Sequence, residues 1–302
     1  MSHLLLSKLT LQMTDFIINL LGTNVGGMLR TWIIFTVVVA LLCFLVSEIT
    51  QNYSQVDKLW SLTPIAYCLI TAFAYPYSPR LWIMTGLVTF WGLRLSYNFA
   101  RKGGYKLIPW QGEEDYRWGF LRKQNLLNKR WKFSLFNLFF ISFYQLFLIM
   151  LFTTPMLVAI AYAEAPLSWL DLLAGGLMLF FILLELISDN QQFRFHQLKQ
   201  GKITREGQYT ASLEQGFLSE GIWKYARHPN FTGEQGIWVS FYFFGVAASG
   251  QWLNLTGVGV VLLILLFMGS SRLTEHLSKQ KYPEYGEYQK KIPRFIPYIG
   301  FK

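Results

Sequence analysis

Gly221-Ile-Trp-Lys-Tyr-Ala-Arg-His-Pro-Asn-Phe-Thr-Gly-Glu234 sits between a polar connector and a hydrophobic run that begins near Gly236. Arg227, His228, Asn230 and Glu234 crowd into eight residues of it, at the mouth of an apolar segment. Pro229 disfavours helix at the residue before it, so a turn is expected ahead of a membrane helix. Gly233 lets a ligand or a second backbone come close. Any one of these polar residues reads as well as an interfacial anchor. Gathered where water ends and hydrocarbon begins, they read as a ligand site.

The surrounding chain supplies that hydrocarbon. Of 302 residues, 53% are hydrophobic and only 15% are charged, whereas soluble domains carry about a quarter charged residues. Several apolar runs reach the roughly 20 residues that a spanning helix needs. They are continuous and do not alternate, which argues against a β-barrel. The expectation is an all-α polytopic membrane protein of about seven transmembrane helices, with cytoplasmic loops capping a cofactor cavity. The spans are placed at about 32–47, 59–74, 81–99, 133–161, 169–187, 236–248 and 253–269. Residues 1–30 read as an interfacial segment ending at Gly26-Gly27, and 31–302 as a single transmembrane domain. The span at 169–187 meets no breaker before His196, so its helix is expected to project beyond the bilayer.

The net charge of +10 does not point to nucleic acid. With this span order, all of the 27 Lys and Arg residues except Lys8, Arg30, Arg80 and Arg94 fall on one side. The positive-inside rule makes that side cytoplasmic, with the N-terminus outside and the C-terminus inside. The absence of an internal repeat disfavours a transporter built from two related halves. Cys43 and Cys68 fall in spans, where a thiol packs as a small apolar group. No Cys/His spacing suits a metal, and no cleavable signal is expected. No convincing Ser-His-Asp triad can be assembled, and no obligate protein partner is evident.

The residues able to do chemistry lie on or near the basic side. The loop Trp110-Gln-Gly-Glu-Glu-Asp-Tyr-Arg-Trp118 supplies Asp115 and Arg117. Asp189 ends the fifth span, with Arg194 and His196 beyond it. The opening stretch adds Tyr225, Arg227, His228, Asn230 and Glu234; the tail adds Arg272, Glu275, His276 and Tyr285. Arginines beside histidine and aromatics can hold a phosphorylated nucleotide by bidentate hydrogen bonds and stacking. No GxGxxG and no P-loop accompanies them, so a bound nucleotide would sit in a helical bundle closed by loops. Glu185 and Asp57 are ionisable groups in or near hydrocarbon, and such groups are functional hypotheses by default. Asp57 reads either as a helix N-cap or as a buried proton donor to a substrate carbonyl. Arg94 reads as its ion partner or as a snorkelling cation. Trp60, Trp91 and Tyr97 read most simply as packing or belt aromatics.

Arg227-His-Pro-Asn-Phe-Thr-Gly-Glu234 resembles the RHPxYxGE signature of membrane steroid 5α-reductases, sterol reductases and isoprenylcysteine carboxyl methyltransferases. Val56-Asp-Lys-Leu-Trp60, Trp91-Gly-Leu-Arg94, Gly112-Glu-Glu-Asp-Tyr-Arg117, Tyr282-Pro-Glu-Tyr285 and Ile292-Pro-Arg-Phe-Ile-Pro297 resemble a bacterial domain-of-unknown-function branch related to the 5α-reductase C-terminal domain. The resemblance covers about residues 50–300. It implies a seven-span, NADPH-dependent reductase of the bacterial inner membrane. Hydride would pass to the β-carbon of a lipophilic enone, such as a 3-oxo-4-ene steroid, drawn from the membrane lipid. Asp57 falls at the place of the glutamate that holds the carbonyl in steroid 5α-reductases, and Trp91 near that of their tyrosine. Arg94 and, further along the span, Tyr97 complete the implied catalytic set. Asp189, Asn230 and Glu234 fall where the family's cofactor-contacting residues lie, joined by Arg194, Arg272 and Tyr285.

The rival implied by the same superfamily is a methyltransferase using S-adenosylmethionine. Its relatives carry paired glutamates after the last span, where this chain reads Thr274-Glu275-His276, half the pair. Extra basic residues also suit a 2′-phosphate better than a methionine zwitterion. A lipid-binding or scaffold protein without activity would leave the gathered polar residues without purpose.

Overall fold

The structure is a computed structural model that describes residues 23–108, 110–204 and 207–296. Residues 1–22, most of the expected interfacial segment, lie outside the described residues. Helix α1, Thr23–Thr50, passes through Gly26 and Gly27 without the expected break. Each glycine costs a helix about 1 kcal/mol, which the long apolar run that follows outweighs. A short α2, Gln55–Leu59, precedes α3, Leu62–Ala74; the N-cap of α2 is Ser54, and Asp57 sits inside its first turn instead of capping a helix. Helix α4, Pro79–Arg101, opens on Pro79, where the missing N–H has no intrahelical partner to lose. The following loop contains α5, Tyr116–Arg122.

The stretch 130–161 is built in pieces: α6, Arg130–Phe136; a π-helical segment, Asn137–Tyr144; α7, Gln145–Thr153; and α8, Pro155–Ala161. Helix α9, Trp169–Lys199, runs well past residue 187, as its unbroken sequence predicts. The rest comprises α10, Thr210–Gln215; a 3-10 turn, Gly221–Lys224; α11, Pro229–Ser249; α12, Gly257–Lys281; and α13, Tyr285–Lys291. There is no strand among the described residues.

Two further boundaries differ from expectation. Helix α11 starts at Pro229 instead of Gly236, because proline suits a first helical position. Helix α12 continues to Lys281 instead of stopping near Gly269. Asn230, Glu234, Arg272 and Glu275 are therefore all helical residues.

Among the described residues, four segments are long and apolar enough to cross a membrane: Asn24–Thr50, Arg130–Ala161, Trp169–Lys199 and Gly257–Lys281. The other three expected spans lie on helices that fall short of that standard. Helix α3 has 13 residues, about 20 Å of helix against a hydrocarbon core of about 30 Å. Helix α4 carries Arg80, Arg94 and Arg101, and α11 opens on polar residues.

The chain divides into two compact units. Unit one comprises Met1–Gly175 with Phe241–Val260, and unit two Gly176–Ser240 with Val261–Lys302. In unit one, Trp32 packs on Tyr67 with ring centroids 4.7 Å apart, and Thr36 Oγ1 lies 2.7 Å from Tyr67 Oη. Arg80, expected in an outer loop, is buried. Its Nε donates to Asp171 Oδ1 at 2.6 Å and one terminal amine to Asp171 Oδ2 at 2.9 Å. The carbonyls of Ala165 and Pro166 accept from its terminal amines at 3.1 and 2.8 Å, so the buried charge is paired and hydrogen-bonded. In unit two, Phe195, Leu218 and Trp223 form a small core with Tyr209 and Ile222 against it.

Candidate functional site

In unit two, α11 rests its glycine edge directly on α9. A Cβ on Gly233 would meet Glu185 Cβ at 2.8 Å and the Phe181 carbonyl at 3.0 Å; one on Gly236 would meet the Phe181 ring at 2.4 Å. Residues 181 and 185 thus face 236 and 233, so the helices are antiparallel here and Asp189 comes level with the first turn of α11. Asp189 and Glu234 are buried, and Glu234 Oε1 accepts from Trp238 Nε1 at 3.1 Å. Asn230 and Glu234, one turn apart, flank Gly233. The Asn230 side-chain oxygen is sealed from solvent and has no hydrogen-bond partner among the described residues. The 3-10 turn is fastened to the same stretch of α9: Ile222 N donates to Gln191 Oε1 at 2.9 Å. Gly221, at φ +64° and with no room for a Cβ beside Gln191, makes that approach feasible.

One turn before Asn230 the polar residues turn to Glu275. Its Oε1 accepts from Arg227 Nε at 2.8 Å and lies 3.1 Å from His228 Nε2. Its Oε2 accepts from Arg294 at 2.9 Å and from Gln289 Nε2 at 2.6 Å. Arg227 also donates to the carbonyls of Gln289, at 2.8 Å, and of Ile292. Backbone bonds from Arg227 to Pro293 (2.9 Å) and from His228 to Arg294 (3.0 Å) lay the tail along the motif. Tyr285 is buried, its ring edge-on to Phe217 at 5.1 Å, and burial pushes its phenol up to about 12.

In unit one, the loop 110–118 folds onto residues 52–58. Asn52 Nδ2 donates to the Gly112 carbonyl at 2.9 Å, Gln55 Nε2 to the Trp110 carbonyl at 3.1 Å, and Tyr53 N to Glu114 Oε1 at 2.9 Å. Gly112, at φ +138°, brings its Cα so close to the Gly104 carbonyl that a Cβ would lie 2.2 Å away. Asp115 caps α5, accepting from Arg117 N at 2.9 Å and from two edges of its guanidinium at 2.8 and 2.7 Å. Asp57 Oδ2 accepts from Trp118 Nε1 at 3.0 Å. Burial raises the Asp57 carboxyl above its ordinary range and the charge of Asp115 adds to this, against the opposing pull of Arg117, Trp118 and Ser54. Asp115 moves the other way: burial opposes its charge, but the Arg117 guanidinium more than compensates and holds it low. Two neighbouring carboxyls are thus driven apart, one toward the acid and one toward the anion.

Of the predicted site residues, unit two brings together Asp189, Arg227, His228, Asn230, Glu234 and Glu275. Tyr285 is buried nearby in the tail, whereas Arg194, Tyr225 and Arg272 are exposed. Unit one clusters Asp57, Asp115 and Arg117. Trp91 and Arg94 are buried on α4, where Gly92 packs against the Ser61 carbonyl and Ser96 Oγ lies 2.8 Å from Ser61 Oγ. Tyr97 is 65% exposed. Sequence reasoning did not single out Gln289, Arg294, Gln191 or Trp118. Arg294 and Trp118 lay inside motifs quoted above, and their placement next to acids was the missing information.

Residues 43–292 match the family described as "Protein of unknown function (DUF1295)". The chain belongs to that family. The DUF1295 match takes in both the Asp57 and the Glu275 clusters. A curated relative is the fission yeast (Schizosaccharomyces pombe) protein called "Uncharacterized protein C594.04c", 39% identical over 263 residues, which cover 83% of this chain and 74% of that protein. A yeast relative gives no support to a bacterial inner membrane as the location. No solved structure matches.

Proposed function

We propose that this protein is an NADPH-dependent membrane reductase that saturates the carbon–carbon double bond of a lipophilic enone. The observation that carries the reading is the sealed Asn230 oxygen, without a partner among the described residues, one turn from the buried acid Glu234 on an end of α11 that lies level with the buried acid Asp189. A buried acceptor without a donor costs about 1–3 kcal/mol, and the carboxamide N–H of a nicotinamide is a donor of the matching kind. When bound, the cofactor supplies the hydride for the enone β-carbon, and a proton from water completes the α-carbon.

The other roles fall to the chain. Asp189 and Glu234 are acceptors suited to ribose hydroxyls, and the exposed Arg194 and Arg272 suit phosphates. Asp57, its carboxyl pushed up by burial, is the acid suited to donate a hydrogen bond to the substrate carbonyl, and Trp118 orients it. Glu275 is claimed by Arg227, His228 and Arg294, so it is not left over to hold the ammonium group of S-adenosylmethionine. In this reading α3, α4 and α11 raise the four long apolar segments to seven crossings, with the C-terminus cytoplasmic.

The test is direct. The purified protein should change NADPH fluorescence and oxidise NADPH when given a 3-oxo-4-ene steroid or a comparable apolar enone. Tight binding of S-adenosylmethionine with no NADPH binding would reverse the reading.

A further inference from the structure

The polar end of the segment Arg130–Ala161 carries charge of one sign. Between Asp115 and Glu164 the chain has no acidic residue, yet it holds Arg117, Arg122, Lys123, Lys129, Arg130 and Lys132. Arg117 pairs with Asp115 and Arg122 with Glu114. Lys123, Lys129, Arg130 and Lys132 form no ion pair among the described residues, and the first three are exposed. Directly beside them lies an exposed apolar stripe. Trp131, Leu135 and Phe139, spaced four residues apart, are 60%, 47% and 65% exposed, and Lys132 Nζ lies 5.8 Å from the Trp131 ring centroid. A depression of about 630 Å³, lined by Arg130, Trp131, Ser134 and Leu135, opens where charge and stripe meet. Behind it, Glu48 accepts from Ser134 Oγ at 2.8 Å and from Asn137 Nδ2 at 2.9 Å, and forms no ion pair among the described residues.

We propose that this depression is a binding site for an anionic glycerophospholipid. The phosphate sits against Arg130, Lys129 and Lys132, and an acyl chain runs along Trp131, Leu135 and Phe139. The ligand has to satisfy both halves of the site. A soluble phosphate meets only the cations, and a zwitterionic lipid brings no net charge to the four unpaired ones. The site lies wholly within unit one and does not depend on the reductase reading.

The full-length protein is reconstituted in vesicles of phosphatidylcholine mixed with phosphatidylglycerol, re-extracted, and its retained lipid measured by mass spectrometry. Phosphatidylglycerol should be enriched over the bulk mixture. Arg130→Gln with Lys132→Gln should lower the enrichment by about fivefold for each charge removed. Removing two exposed charges elsewhere, Lys290→Gln with Lys291→Gln, should leave it unchanged. Leu135→Asn, which keeps every charge, should also lower retention, because the chain half of the site is spoiled. Equal retention of the two lipids by the unaltered protein overturns the proposal whether or not the variants fold. So does an equal loss in the Lys290/Lys291 pair, which would mean net charge alone, or full displacement by inorganic phosphate, which would mean a site for a soluble anion.

Discussion

Arg227 Nε and Glu275 Oε1 lie 2.8 Å apart, with side chains only 8% and 2% exposed. This pair links the start of α11 to α12 and, through Arg294 and Gln289, draws the tail over both. Thr232 Oγ1 adds a bond to the Phe295 carbonyl at 2.7 Å. Removing one partner of a buried ion pair leaves the other charge uncompensated, at a cost of about 3–5 kcal/mol. Glu275→Ala should therefore lower unfolding stability by that order and expose residues 289–296 to limited proteolysis. Glu275→Gln, which keeps acceptor and shape, should do less of both. A tail as resistant in Glu275→Ala as in the unaltered protein would refute its role as the clamp.

The seating of α11 on α9 gives a steric prediction. Gly233→Ala places a methyl 2.8 Å from Glu185 Cβ and 3.0 Å from a backbone carbonyl that cannot rotate away. Forced contacts of this kind typically cost about 1–3 kcal/mol, and the Asn230–Glu234 turn would move with the helix. Gly176→Ala, in α9 with nothing within 4 Å of the added atom, should be neutral or slightly stabilising. Thermal unfolding in detergent separates the two, and an equal response from both would show that the close approach is not what matters.

The membrane class and the crowding of polar residues at the start of α11 were legible because hydropathy and polar crowding are local properties. The overrun of α9 past residue 187 was legible for the same reason: no proline or glycine interrupts it. The number of long apolar helices was not. A count by runs gave the 13-residue α3 the same weight as α1, and only the true helix ends show how much chain each has for crossing hydrocarbon. Pairing was equally hidden. Nothing at Glu275 in sequence says that Arg227, 48 positions away, and Arg294, 19 away, meet on it. Asp57 and Trp118, 61 apart, pose the same problem, since long-range contacts depend on how the loop 110–118 folds back.

The partnerless Asn230 oxygen separates a binding residue from a structural one. Asn230→Leu, close in volume, removes a buried acceptor that has no donor, so the fold should be as stable or more stable by about 1 kcal/mol. If the residue meets the cofactor, NADPH affinity should nonetheless fall, by about tenfold for one lost hydrogen bond. Fluorescence titration and thermal unfolding on the same preparation give both numbers. Loss of stability without loss of affinity would place Asn230 in the scaffold instead.

Asp57 couples the proposed chemistry to pH. Burial first, and then the charge of Asp115, raise its carboxyl above the ordinary value of 3.8. A raised folded-state value means that the proton is held more tightly after folding. That contribution to stability is complete below the unfolded value and is lost as pH climbs through the folded one. Asp115, held low beside Arg117, has the opposite sign: its contribution is present above the unfolded value and lost as pH falls through the folded one. Asp57→Asn keeps an acceptor for Trp118 but has no charge to bury. It should therefore gain stability over the unaltered protein at neutral pH, by about 1.4 kcal/mol for each unit of the shift, with the advantage vanishing toward acid. Turnover should move the other way, falling on the order of 10²–10³ for a lost transition-state hydrogen bond, with NADPH affinity unchanged. Parallel stability curves for the two proteins from acid to neutral pH would show that this carboxyl is not held protonated, and its assignment as the donor to the substrate carbonyl would go with it.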